Sequence, residues 1–190
     1  MPRVVYSPSA LRDLADIGYH IAKDNPASGV PMKTLVLGLG NPLVTDDSVG
    51  LRVAAELKPL LAGRPEVEVS EDYWGGLRLM ERMAGFGAAI VIDAICTGAP
   101  PGTIHRLGVD SIPTQRSASA HDVNLPTALA LGRQAGVPLP SDGKILLVGI
   151  EAADILSFGE DCTPAVRAAI APAVREVLEA LDRLSGGAPR

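Results

Sequence analysis

The chain has 190 residues, room for one α/β domain with a real core and too little for two full ones. Apolar residues make up 47% and aromatics only 3%, so the interior has to be built from Ala, Val, Leu and Ile. A net charge of −5 with no basic run argues against nucleic acid or an anionic membrane as the main partner, and the longest apolar runs fall far short of the ~20 residues of a membrane span.

Asp13 and Asp16 interrupt the first twenty residues, so no secretory signal is read there, and a cytoplasmic location is expected. Cys96 and Cys162 are too few for a disulfide scaffold and too far apart for a metal-binding pair. The opening segment, SPSALRDLADIGYHIAKDNPASG, reads as a helix: Ser7 caps it, Pro8 suits its first turn, and Leu11, Leu14, Ile17 and Ile21 share one face. Residues 3–28 weakly resemble the start of the ParE/RelE toxin family, and nothing beyond residue 30 continues that likeness. A second methionine, Met32, precedes the next strand. Residues 1–31 are therefore read as an appended segment or an upstream start, residues 32–185 as the working domain, and 186–190 as a disordered tail.

From Met32 the pattern alternates. Strands are predicted at Lys33–Gly38, Pro65–Ser70, Ala88–Asp93, Thr103–Leu107 and Lys144–Ile150. Helices are predicted at Asp47–Leu61, Gly76–Ala84, Asn124–Ala135 and Pro164–Leu184. The runs LVLG, AAIVID and ILLVGI are almost wholly apolar, which suits strands covered on both faces of a parallel sheet. TIHRL alternates and follows a short Pro/Gly loop, so that strand is expected to be antiparallel or at an edge. The last helix has Thr163 as N-cap, Pro164 at its first position, and Val166, Ile170, Val174, Val177, Leu178 and Leu181 facing inward; Pro172 is expected to bend it. The fold class that follows is a three-layer α/β/α domain around a mostly parallel five-stranded sheet.

In such sheets ligands bind beyond the carboxyl ends of the strands. Asp46 and Asp47 follow the first strand, Asp72 the second, Asp93 ends the third, and Glu151 follows the last, while His121 and Asp122 lie in a polar loop before a helix. Gathered acids do not make an anion site. The glycine-rich turn GLGNPLVTDDSVG lacks the third glycine of the dinucleotide fingerprint, having Leu43 there, and its paired aspartates would repel a phosphate. GLGNP also resembles the start of peptidyl-tRNA hydrolase. That family continues with a Thr-Arg-His-Asn segment bearing its catalytic histidine, whereas this chain reads VTDDSVG.

Asp47, Asp93 and His121 together would make a two-carboxylate, one-imidazole site suited to nickel or zinc rather than calcium or magnesium. Each also has a plain structural reading: helix capping for Asp46 or Asp47, turn capping for Asp93, an exposed loop for His121. His20 and His105 are read as structural or exposed, away from the rim, and Cys96 as a small apolar filler. No HExxH or GxSxG motif is present.

The ordered set GLGNPLVTDDSVG, VIDA, PPGTI, SAHDVNLPTAL, VGIEAADI and FGEDCTPAV resembles the hydrogenase maturation endopeptidases from about residue 33 to 184. That resemblance implies an endopeptidase that removes the C-terminal extension of the large-subunit precursor of nickel–iron hydrogenases. It implies that the nickel arrives in the substrate, with no permanently bound cofactor, and that Asp47, Asp93 and His121 are the metal-binding and catalytic groups. Asp46 is then left as a helix cap or possible base. The resemblance also implies that Asp72, Gly75 and Gly76, in DYWGG, form part of the substrate groove. The remaining alternative is a non-catalytic nickel- or precursor-binding chaperone using the same rim.

Overall fold

The computed structural model of the chain describes residues 33–73, 76–111 and 125–184. The appended segment, the tail, Gly75 and His121 lie outside the described residues.

Five strands form one sheet: β1 (Thr34–Leu39), β2 (Val67–Asp72), β3 (Ala88–Ile95), β4 (Ile104–Gly108) and β5 (Ile145–Glu151). Their order is β2-β1-β3-β5-β4, with every pairing parallel except β4 on β5. The helices are α1 (Val49–Leu61), α2 (Gly76–Met83), α3 (Leu125–Gln134) and α4 (Pro164–Leu184). The mostly parallel sheet with one antiparallel strand agrees with the expectation, and so does the placing of TIHRL at an edge.

Alternation along the central strands sends side chains to two separate cores. Val36, Ile90, Ile92, Val148 and Ile150 meet Val49, Val53 and Leu57 of α1 and Val166, Ala173, Val174, Val177 and Leu181 of α4. Leu35, Leu37, Ala89, Val91, Ile95 and Leu147 meet Leu79, Met80 and Met83 of α2 and Leu125, Ala128 and Leu129 of α3. A central strand must therefore be apolar on both faces, which is why its hydrophobic run is unbroken. Burying each such side chain stabilises the fold by about 1.5–3 kcal/mol, so both helical layers are strongly held.

The chain leaves β1 through α1 toward β2, whereas from β3 it runs to the other side of the sheet, toward β4 and β5. The direction of winding reverses between β1 and β3. This is the crevice that an open α/β sheet offers to a ligand. Glycines let the start of α1 sit directly on it. Gly40 has φ of +142°, where a side chain is strained, and a Cβ there would collide with the Asp47 carbonyl. A Cβ on Gly50 would strike the carbonyls of both Leu39 and Ile92. The glycines of this turn thus serve close backbone packing.

α3 runs back against the strands. Beyond its C-terminal end, Pro138 accepts a bond from Gly85 N, just ahead of β3, at the amino edge of the sheet. Leu125, the first residue of α3, is accordingly directed toward the carboxyl edge. No helix among the described residues is long and apolar enough to cross a membrane.

Candidate functional site

Asp46 and Asp47 are adjacent and chemically identical, and the fold uses them differently. Residues Asp46–Ser48 form a short 3-10 turn ahead of α1, and no side chain caps either the turn or the helix. The expected capping role of Asp46 is therefore corrected. Its carboxylate is wholly buried and accepts bonds from Ala153 N and Asp154 N (both 2.9 Å), Thr163 N (2.7 Å) and the Thr163 hydroxyl (3.0 Å). Asp46 N is itself donated to Asp154 O at 3.1 Å. With that many donors around it, the Asp46 carboxylate fastens the loop after β5 and the start of α4 to the start of α1. It is poorly suited to be a general base, because its lone pairs are already occupied. No local pattern betrays this contact, since Thr163 is 117 residues away in sequence.

Asp47 points elsewhere. It is half-buried, and its Oδ2 accepts a bond from Asn41 N at 2.8 Å, while Asn41 Oδ1 accepts from Leu43 N at 3.0 Å. One backbone donor orients the Asp47 carboxylate and leaves most of its acceptor capacity open.

Asp93 was expected to end its strand; instead β3 continues through Ile95, and the register pairs Asp93 with Gly149 of β5. It shares its sheet face with Val91 and Ile95, the face covered by α2 and α3. Some of its surface remains accessible, yet its surroundings strip away enough water to push the carboxyl up to about 7. Burial is the main cause, the negative charge of Asp47 adds to it, and a bond from Ala94 N at 2.9 Å only partly opposes it. The switch point therefore brings together two carboxylates, one of which resists ionising beside the other. A cation between them would relieve both burial and repulsion.

The other rim residues are occupied. Asp72 is buried at the end of β2, with Arg82 Nε at 3.6 Å, Arg78 Nε at 3.9 Å and a bond from Tyr73 N at 2.8 Å. Its Oδ2 therefore faces two guanidiniums and forms part of an ion-paired cluster. Gly76 opens α2 directly after that segment. Glu151, the last residue of β5, is buried and accepts bonds from Thr97 N (2.7 Å), the Thr97 hydroxyl (2.8 Å) and Gly98 N (2.8 Å). His105 Nε2 lies 3.3 Å from it, so His105 sits by the rim rather than away from it. Cys96 is exposed, which corrects its reading as a filler. Partial desolvation and the charges of Glu151, Asp47 and Asp46 hold its thiol above the ordinary value, so it stays protonated near neutral pH and is a weak nucleophile.

Among the described residues, no three His, Cys, Asp or Glu side chains form a group able to hold a metal ion. Two of the three residues expected to do so, Asp47 and Asp93, come together at the switch point. The third, His121, lies outside the described residues, four positions before the first residue of α3.

A family model described as hydrogenase maturation protease (HycI) matches residues 51–180. The chain belongs to the hydrogenase maturation protease family. It is 33% identical over 153 residues to the hydrogenase 2 maturation protease of Escherichia coli, covering 79% of this chain and 91% of that one. It is 30% identical over 150 residues to the hydrogenase expression/formation protein HupD of Thiocapsa roseopersicina, spanning 77% of this chain and 66% of that protein. The solved structure of the hydrogenase maturating endopeptidase HybD from Escherichia coli superposes with a TM-score of 0.66 at 31% identity, covering 80% of this chain and 93% of that one. Membership makes the chain a protease, and its fold is that of the family.

Proposed function

We propose that the protein is the endopeptidase that removes the C-terminal extension from the nickel-loaded large-subunit precursor of a nickel–iron hydrogenase. Asp47, Asp93 and His121 meet the nickel that the precursor carries. The observation that carries this reading is the carboxylate pair: Asp93, pushed up to about 7 by burial and by Asp47, is short of positive charge in a crevice where the fold class binds ligands. The path of the chain supports the third ligand, since α3 begins at Leu125 and its first residue is directed toward the same carboxyl edge.

Two carboxylates and one imidazole leave positions open on a divalent ion. The substrate's metal then polarises the scissile carbonyl and lowers the pKa of a bound water. That water attacks the carbonyl carbon, the C–N bond breaks, and the departing amine takes a proton. The protein's groups hold the ion and orient the chain. An enzyme whose metal comes with the substrate cuts only loaded precursor. The acceptors of Asp46 are taken up by backbone and hydroxyl donors, so activation of the attacking water rests on the metal's acidifying effect rather than on Asp46 as a base.

Both Asp93 and His121 must be deprotonated to ligate. Processing is therefore expected to decline as pH falls through about 7, the value for Asp93, and then through ~6.5, the ordinary value for a histidine. The direct test is incubation of the purified protein with nickel-loaded precursor, following the shortening of the large subunit. Binding without cleavage would replace this reading with the chaperone.

A further inference from the structure

We propose that the exposed apolar ridge of Leu43, Leu156 and Phe158 docks the folded body of the protein substrate beside its cleaved segment. This extends the peptidase reading and rests on it. The ridge is built from the loop between β1 and α1 and the loop between β5 and α4. Val44 and Phe158 form an antiparallel bridge, Thr45 N donates to Ser157 O, and Gly159 N donates to Leu43 O. Leu156 N and Ser157 N are donated to Asp154 Oδ1. With these backbone groups engaged inside the ridge, it presents side chains outward rather than an open strand edge.

Three observations select the occupant. Large apolar side chains are strongly exposed here, with Leu43 at 65%, Leu156 at 86% and Phe158 at 83%, and Ile155 at 41% widens the patch. Exposed apolar residues grouped this way mark an interaction surface. The ridge is also continuous with the candidate active site: the loop that carries Leu43 continues into Asp47, and Asn41 orients the Asp47 carboxylate. Finally, buried Asp46 anchors both flanks of the Ile155–Phe158 loop, its carboxylate accepting from Ala153 N and Asp154 N on one side and Thr163 N on the other. A preordered surface loses little entropy on docking.

Size separates a substrate from a second copy of the chain. Three or four side chains expose on the order of a few hundred Å². A standard stable interface takes about 800 Å² from each partner. The ridge is thus too small to hold a dimer by itself. It suits a protein that must bind, be cut once and leave.

The test uses the full-length protein carrying Leu156→Ser and Phe158→Ser together, assayed on nickel-loaded precursor. Both side chains are exposed, so an unchanged melting temperature is expected. KM should rise about tenfold or more with kcat within about twofold of the wild-type value, because apolar anchors at such contacts carry much of the affinity. If wild-type protein cleaves and the double variant shows the same KM, the docking proposal fails while the peptidase reading stands. An unchanged KM with loss of an oligomer on size-exclusion chromatography would assign the ridge to a second copy and overturn it. A KM that falls would mean that the chain's own residues 1–32 compete for the ridge, again overturning it. Absence of cleavage by wild-type protein would remove both the peptidase reading and this one.

Discussion

Asp93 and Glu151 stand near the ends of neighbouring parallel strands, with Ile95 of β3 in register with Glu151. Burial pushes both carboxyls toward the neutral form, yet they end on opposite sides of their ordinary values. At Glu151, desolvation is outweighed by the Thr97 hydroxyl, the backbone N–H groups of Gly98 and Thr97, and nearby His105, so its pKa is lowered. At Asp93 the single bond from Ala94 N is not enough, Asp47 adds repulsion, and the carboxyl rises to about 7. Burial has the same sign in both places, and the hydrogen bonds decide. A saturated buried carboxylate holds the fold together. An undersupplied one awaits a ligand.

The largest effect expected from breaking that contrast is on processing. Asp47→Asn and Asp93→Asn should each reduce cleavage of nickel-loaded precursor to below about one hundredth of wild type, since even groups that only support metal ligands cost 10–100-fold. A gel-shift assay of the large subunit reads this directly. His121→Ala should match them with the melting temperature unchanged. Normal cleavage by that variant would remove His121 from the site.

On the structural side, Glu151→Ala should cost roughly 2–4 kcal/mol of unfolding free energy, because it leaves Thr97 N and Gly98 N without their charged acceptor. Asp46→Asn, which turns an acceptor into a donor facing Ala153 N, Asp154 N or Thr163 N, should cost about 2 kcal/mol. Chemical denaturation measures both.

The smallest effect sharpens the comparison through pH. Asp93 has a raised folded pKa, so the folded state binds more protons than the unfolded state between about 4 and 7. Its contribution to stability is fully present below the unfolded value and is lost as pH rises through about 7. Asp93→Asn should accordingly stabilise the metal-free protein at pH 8 by roughly 1–3 kcal/mol and flatten its stability curve between pH 4 and 8. Glu151 has the opposite sign. Its folded pKa is lowered, so its contribution is present above its unfolded value of 4.5 and is lost as pH falls below that. Glu151→Gln should therefore weaken the protein at pH 7 more than at pH 3.

Much of the fold was legible because burial on both faces writes itself into composition. LVLG, AAIVID and ILLVGI became β1, β3 and β5, and the alternating TIHRL became the antiparallel edge strand. Strand ends were less legible. β3 outran its predicted end by two residues, through Ile95, so Asp93 lies within the strand rather than at its end. Propensity could not set that end, because pairing with β5 continues to Glu151 and holds the extra residues extended. Legibility of the site followed the same line. Asp47, after a strand, and Asp93, at a predicted strand end, stand out by position, but nothing local distinguishes Asp46 as a fastener or puts His105 beside Glu151, because their partners are distant in sequence.

By itself the sequence determined the layered α/β class, the acidic rim, the family, and which carboxylates to suspect, since all of these follow from local periodicity and ordered motifs. The tertiary structure decided the strand order, the reversal of winding between β1 and β3, and the division of identical side chains into fasteners and open ligands. Those depend on which donors long-range packing brings to each carboxylate, and a one-dimensional pattern carries no record of that.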